Sequence, residues 1–122
     1  MIPVVNIDGY TAIGTNFLST KTLTPIRKNR HLYPSQTTAG CDTSSIGVDL
    51  NRNYGFMFAY DNTGSSGENN VCADDYRGPY AFSEPETAAM RDFVGNWSNI
   101  KIAINFHSYG NLFISPFNFD NS

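Results

Sequence analysis

A chain of 122 residues with 40% hydrophobic and 14% aromatic content is long enough for one packed domain and too short for two. Eight basic residues against eleven acidic ones leave a net charge of −3, so no global field draws the chain to nucleic acid or to an anionic membrane, and neither partner is expected. No apolar run approaches the ~20 residues that span a bilayer, and the opening "MIPVVNIDGY" lacks the basic segment and apolar core of a signal peptide.

In chain order, the β-branched run Val4, Val5, Ile7, closed by Asp8-Gly9, predicts a short strand entering a turn. From Thr11 to Ser45 the sequence is polar and punctuated by Pro25, Pro34 and "SQTTAG", which predicts a long ordered loop. "YDNTGSSGENN" predicts a second, solvent-exposed one. Cys41 and Cys72 flank a stretch rich in Gly, Ser and Asn. They allow either one disulfide or two free thiols, and their spacing is not that of a C-x-x-C redox or zinc pair. A staple closing that loop would stabilise by roughly 3 to 4 kcal/mol and would imply an oxidising compartment.

The clearest element is "SEPETAAMRDFVGNW". Ser83 followed by Glu86 matches a capping box, and Pro85 falls in the first turn, where its missing N–H costs nothing. Ala89, Met90, Phe93, Val94 and Trp97 recur at helical spacing, so this amphipathic helix is expected to end near Asn96 with those residues in the core. Ile102, Ala103, Ile104 and Phe106 then read as a buried strand from Lys101 to His107, and "NLFISPF" as a further short strand ended by Pro116. Helix followed by strand points to α/β layering. A histidine where such a strand stops would enter the crevice in which open α/β sheets hold ligands, although alone it reads more readily as a satisfied core or turn histidine.

"GVDLNRNYGF" places Asp49, Asn51 and Arg52 together between apolar and aromatic neighbours. Arg offers a planar fork to a carboxylate, an adjacent Asn amide can donate to the same group, and an Asp can orient a metal-bound histidine by accepting its second N–H. A structural polar turn with a surface Arg is the other reading of the segment.

Five segments, in order, resemble the zinc carboxypeptidases of the funnelin type, the family of pancreatic carboxypeptidases A and B. "NIDGY" is similar to N-P-D-G-[YF], "RKNR" to R-K-[TN]-R, and "GVDLNRNY" to G-V-D-x-N-R-N-[WY]. "YRGPYAFSEPET" is similar to Y-x-G-x-x-x-x-S-E-x-E, and "HSYGNLFISPF" to H-S-Y-x-Q-x-x-x-x-P-[YW]. The fold this implies is α/β: a fragment of the mixed-sheet zinc-carboxypeptidase (phosphorylase/hydrolase-like) fold with long loops and one clear amphipathic helix.

The resemblance implies Zn2+ as cofactor, with His107 as one ligand, and the C-terminus of a peptide or protein as substrate. It gives Asn51 and Arg52 the grip on the terminal carboxylate, Arg27 the polarisation of the scissile carbonyl, and Ser108 and Tyr109 places in the substrate cleft. Asp49 would hold a zinc-ligating histidine, and Cys41 and Cys72 would form a disulfide, which implies a secreted protein or another oxidising compartment. The family's H-x-x-E, which carries the other two zinc ligands, precedes the N-P-D-G segment. Its general-base glutamate and its closing tyrosine follow the H-S-Y segment. Residues 1–122 are therefore expected to be a partial catalytic domain, inactive alone. Asn111 stands where many members have Gln, and Tyr54 where many have Trp. Two other readings remain: a catalytically dead carboxypeptidase-like module that binds C-termini, and an unrelated secreted α/β interaction domain.

Overall fold

The computed structural model describes residues 1–107 and 110–115. Among these, three α-helices form: α1 (Ile7–Thr20), α2 (Pro34–Thr38) and α3 (Pro85–Asn96). Two 3₁₀ turns, Leu50–Arg52 and Glu68–Asn70, lie between α2 and α3.

The strand expected at Val4 to Ile7 is instead the entry to α1. Asn6 caps the helix, its side chain accepting from Gly9 N–H at 2.9 Å, and Asp8 sits in the first turn, where a negative charge suits the helix dipole. These local gains override the β-preference of Val5 and Ile7. A Cβ at Gly9 would come within 2.5 Å of the Asn6 amide and push that capping side chain aside. Much of the loop expected from Thr11 onward is therefore helical, up to Lys21 in the left-handed conformation (φ 58°), whose N–H bonds Phe17 O.

The strands expected at Lys101–His107 and in "NLFISPF" do not form among the described residues. Ile102, Ile104 and Phe106 are 80%, 71% and 94% exposed. A strand needs a neighbour for its alternate N–H and C=O groups, and among the described residues the sole bridge outside helices is an isolated parallel one, Ser66 to Tyr76. The mixed sheet is thus absent from the described residues. The helix expected at "SEPETAAMRDFVGN" is present, but Phe93, Val94 and Trp97, expected in the core, are about half exposed, and Thr87 is its buried residue.

Apart from Gly9, what is buried among the described residues lies between residues 28 and 87. Val48, Val71 and Tyr76 form a small apolar cluster, with Tyr33, Cys41 and Cys72 packed on it. Cys41 and Cys72 are joined, Sγ to Sγ, with their Cα atoms 5.3 Å apart. Around this cluster sit the buried polar residues Lys28, Asn29, Gln36, Asp49, Asn53, Glu84 and Thr87. With so few buried hydrophobic side chains, this part of the chain is held by satisfied hydrogen bonds as much as by apolar burial.

Gln36 shows how. Its amide donates to Gly47 O (2.8 Å) and Val71 O (3.0 Å), and its carbonyl accepts from Gly47 N (3.1 Å) and Tyr33 N (3.2 Å). One side chain closes four backbone groups on three segments. Gly47 has φ +97°, and a Cβ there would lie 1.9 Å from Asn29 O, so only glycine lets these segments meet.

Candidate functional site

The segment carrying Arg27 runs against the segment carrying Asn51 and Arg52. Asn29 N donates to Val48 O (2.9 Å), Val48 N donates to Asn29 Oδ1 (2.8 Å), and Asp49 N donates to Tyr76 O (2.8 Å). This pairing puts Asp49, 2% exposed at its side chain, beneath both arginines. Asp49 Oδ2 accepts from Arg27 Nε at 2.7 Å, and Arg52 Nε lies 3.8 Å from the same oxygen. Asp49 Oδ1 accepts from Asn51 N at 3.0 Å, which starts the 3₁₀ turn. One buried carboxylate therefore holds two guanidiniums and orders the turn that presents the asparagine.

Arg27 and Arg52 remain 46% and 35% exposed, so their outer donors face solvent. Arg52 Nε is shielded from solvent and has no hydrogen-bond partner among the described residues. Charge, rather than a bond, holds that guanidinium. Beside it opens a cavity of about 300 Å3 lined by Asn51, Arg52, Tyr54, Phe56, Met57 and Phe58, among others. A cationic fork and an amide at the rim of an aromatic-walled cavity can accept a carboxylate attached to an apolar group.

A deeper layer fixes this layer. Asn53, fully buried, donates to Arg77 O (2.8 Å), Tyr80 O (3.1 Å) and Ser83 Oγ (2.8 Å), and its Oδ1 accepts from Glu84 N and Thr87 Oγ1. The turn bearing Asn51 and Arg52 is thereby tied to the first turn of α3. Glu84, also fully buried, accepts from Asn29 Nδ2 (2.8 Å), Tyr33 OH (2.7 Å) and Ser83 Oγ (2.7 Å), and its Oε2 lies 2.9 Å from His31 Nδ1. Burial alone would raise the Glu84 carboxyl, but the bonds from Asn29, Ser83, Tyr33 and His31 outweigh it and hold the pKa below the usual value. Burial pushes the Tyr33 phenol up, and its bond to Glu84 adds to the rise.

These contacts also displace the expected capping box. Ser83 and Glu84 spend their side chains on Asn53 and on residues 29 to 33, and α3 starts at Pro85 with no side-chain cap bond. Lys28 is buried over the Tyr76 ring and donates to Ala73 O at 2.9 Å. Burial lowers its pKa, while the nearby charges of Asp74 and Asp49 oppose that.

Of the sequence-derived site residues, Arg27, Asp49, Asn51 and Arg52 come together. His107 is exposed, with no hydrogen bond or ion pair to that cluster. Ser108 and Tyr109 lie outside the described residues. A catalytic zinc takes three protein ligands and keeps a position for water, and no group of three or more His, Cys, Asp or Glu side chains converges among the described residues. Those residues do not by themselves fit a zinc ion. Sequence reasoning did not single out Asn53, Glu84, Gln36 or Asn29. The available signal was an Asn or Gln inside an apolar or aromatic setting, as in "NRNYGF".

A family model described as zinc carboxypeptidase matches residues 1–122. Carboxypeptidase B of Bos taurus is 39% identical over 121 residues, covering 98% of this chain and 25% of the relative. Mast cell carboxypeptidase A of Homo sapiens is 34% identical over 121 residues, with the same coverage of both. Carboxypeptidase B of Homo sapiens is 37% identical over 120 residues, again 98% of this chain and 25% of the relative. The chain spans about a quarter of the length of these curated relatives. With the family model matched from the first residue to the last, the chain belongs to the zinc carboxypeptidase family.

Proposed function

We propose that this chain is the middle segment of a metallocarboxypeptidase catalytic domain, and that its part in the reaction is to recognise the substrate's C-terminal carboxylate and stabilise charge at the scissile carbonyl. The observation that carries the reading is the single buried carboxylate of Asp49 gathering Arg27 and Arg52, with Asn51 on the same turn. Arg52 and Asn51 would grip the terminal carboxylate. Arg27, held by its Nε, keeps its outer nitrogens for the oxyanion that develops when the carbonyl is attacked. Ser108 and Tyr109 would line the cleft.

The cofactor named by the family is zinc, which would polarise water and carbonyl when bound. His107 would supply one ligand, and the other two, together with the general-base glutamate, would come from residues outside this chain. Asp49 has acceptor capacity left for the N–H of one of those histidines beside its bond to Arg27. The exposed run Ile102, Ile104, Phe106 supports the partial-domain reading: it has the composition of a central strand, and in the parent it would be sandwiched within a mixed sheet. The disulfide favours secretion or another oxidising compartment. The 122 residues alone are expected to be inactive.

The test is zinc titration and hydrolysis of a blocked dipeptide by the full-length parent and its His107→Ala variant. The variant should lose most zinc affinity and nearly all turnover. Stoichiometric zinc and undiminished turnover in the variant would refute the assignment. Tight binding of peptides with free C-termini, without turnover by the parent, would assign a C-terminus-binding module instead.

A further inference from the structure

Within these 122 residues one Asn-x-Ser/Thr triplet with a non-proline centre occurs, Asn96-Trp97-Ser98. We propose that Asn96 is a site of N-linked glycosylation. The reaction needs an accessible asparagine amide and, two residues on, a hydroxyl in non-helical backbone. α3 ends at Asn96, and Trp97 leaves the helix with φ −120° and ψ 88°. All three residues are exposed. Neither the Asn96 side-chain amide nor the Ser98 hydroxyl has a hydrogen-bond partner among the described residues.

The position on the helix matters as much as exposure. Asn96 follows Asp92 by four residues and shares its polar face, and the Asp92 side chain is 59% exposed. Phe93, Val94 and Trp97 form the neighbouring apolar stripe. A partner element covering that stripe would still leave the Asp92–Asn96 face open. Asn96 is also about 17 Å along the helix from Pro85, at the opposite end from the Glu84 and Asn53 contacts that support Arg27 and Arg52. A glycan there would stand clear of the cleft. The Cys41–Cys72 disulfide fits the same oxidising compartment in which such glycans are added.

In the transfer, Asn96 Nδ2 forms a bond to the anomeric carbon of a lipid-pyrophosphate-linked oligosaccharide. The anomeric C–O bond breaks, the lipid pyrophosphate leaves, and the amide loses one proton to the transferase. No oxidant or reductant is involved.

The experiment is translation of the 122-residue chain behind a cleavable signal peptide in a cell-free system with microsomes, which does not require the chain to fold and is blind to carboxypeptidase activity. The wild-type chain and Ser98→Thr should shift in mass, Asn96→Gln and Ser98→Ala should not, and peptide N-glycosidase should reverse the shift and leave Asp at position 96. An unshifted wild-type chain beside a shifted control glycoprotein, or a shift that survives in Asn96→Gln, would overturn the proposal.

Discussion

Replacing Asn53 with Ala removes the side chain that ties the Asn51–Arg52 turn to α3. Two backbone groups lose their partner, the part-buried Arg77 O and the buried Glu84 N, while Tyr80 O keeps its bond from Ser83 N. Ser83 Oγ keeps its bond to Glu84, and Thr87 Oγ1 keeps its bond to Glu84 O. At ~1 kcal/mol for each stranded group, the loss is about 2 kcal/mol, or a fall in Tm of roughly 8 °C for a domain of this size. Asn53→Asp should be worse despite its matching shape, because it replaces a donor facing two carbonyls with a carboxylate close to the buried Glu84. Thermal unfolding followed by circular dichroism, in the chain with its disulfide intact, is the assay. A Tm change under about 3 °C for Asn53→Ala, or Asn53→Asp outranking Asn53→Ala in stability, would refute the reasoning.

Cys41→Ser with Cys72→Ser removes a cross-link over a sequence separation of 31. The chain-entropy account then gives a loss of about 4 kcal/mol, read as a lower denaturant midpoint with a larger slope in the variant. Acid should also destabilise the chain through Glu84. Its folded pKa lies below the ordinary value of 4.5, so its contribution is fully present above that value and is lost as pH falls through the folded pKa. Glu84→Gln should flatten the pH dependence of stability below 4.5, measured by urea titration at stepped pH.

The sequence was most informative where the decisive interactions are local or patterned. α3 could be read from Pro85 and the 3.6-residue apolar recurrence, and the polar turn at Asp49 to Arg52 from its placement between apolar neighbours. The bridge between Cys41 and Cys72 could be weighed from loop position and strengthened by resemblance, and the structure joins the pair. Reading failed where a short-range cap competed with propensity, as at Asn6, whose bond to Gly9 turns a β-branched run into a helix start. It failed again where partners are distant in sequence. Asn53 finds Glu84, and Glu84 finds His31 and Tyr33, across dozens of residues, so no local window shows that either is buried. The apolar run before His107 has strand composition, but pairing is not a property of one segment: strand geometry needs a neighbour's N–H and C=O groups.

The most direct test of carboxylate recognition is kcat/KM for the full-length parent and its Arg52→Ala variant on one peptide in two forms, with a free C-terminus and with a C-terminal amide. Losing a charge-assisted hydrogen bond costs about 2 kcal/mol, so kcat/KM on the free acid should fall roughly 30-fold, while the amide changes little. An equal fall on both forms would contradict the account, because Arg52 would then be supporting the fold rather than reading the carboxylate.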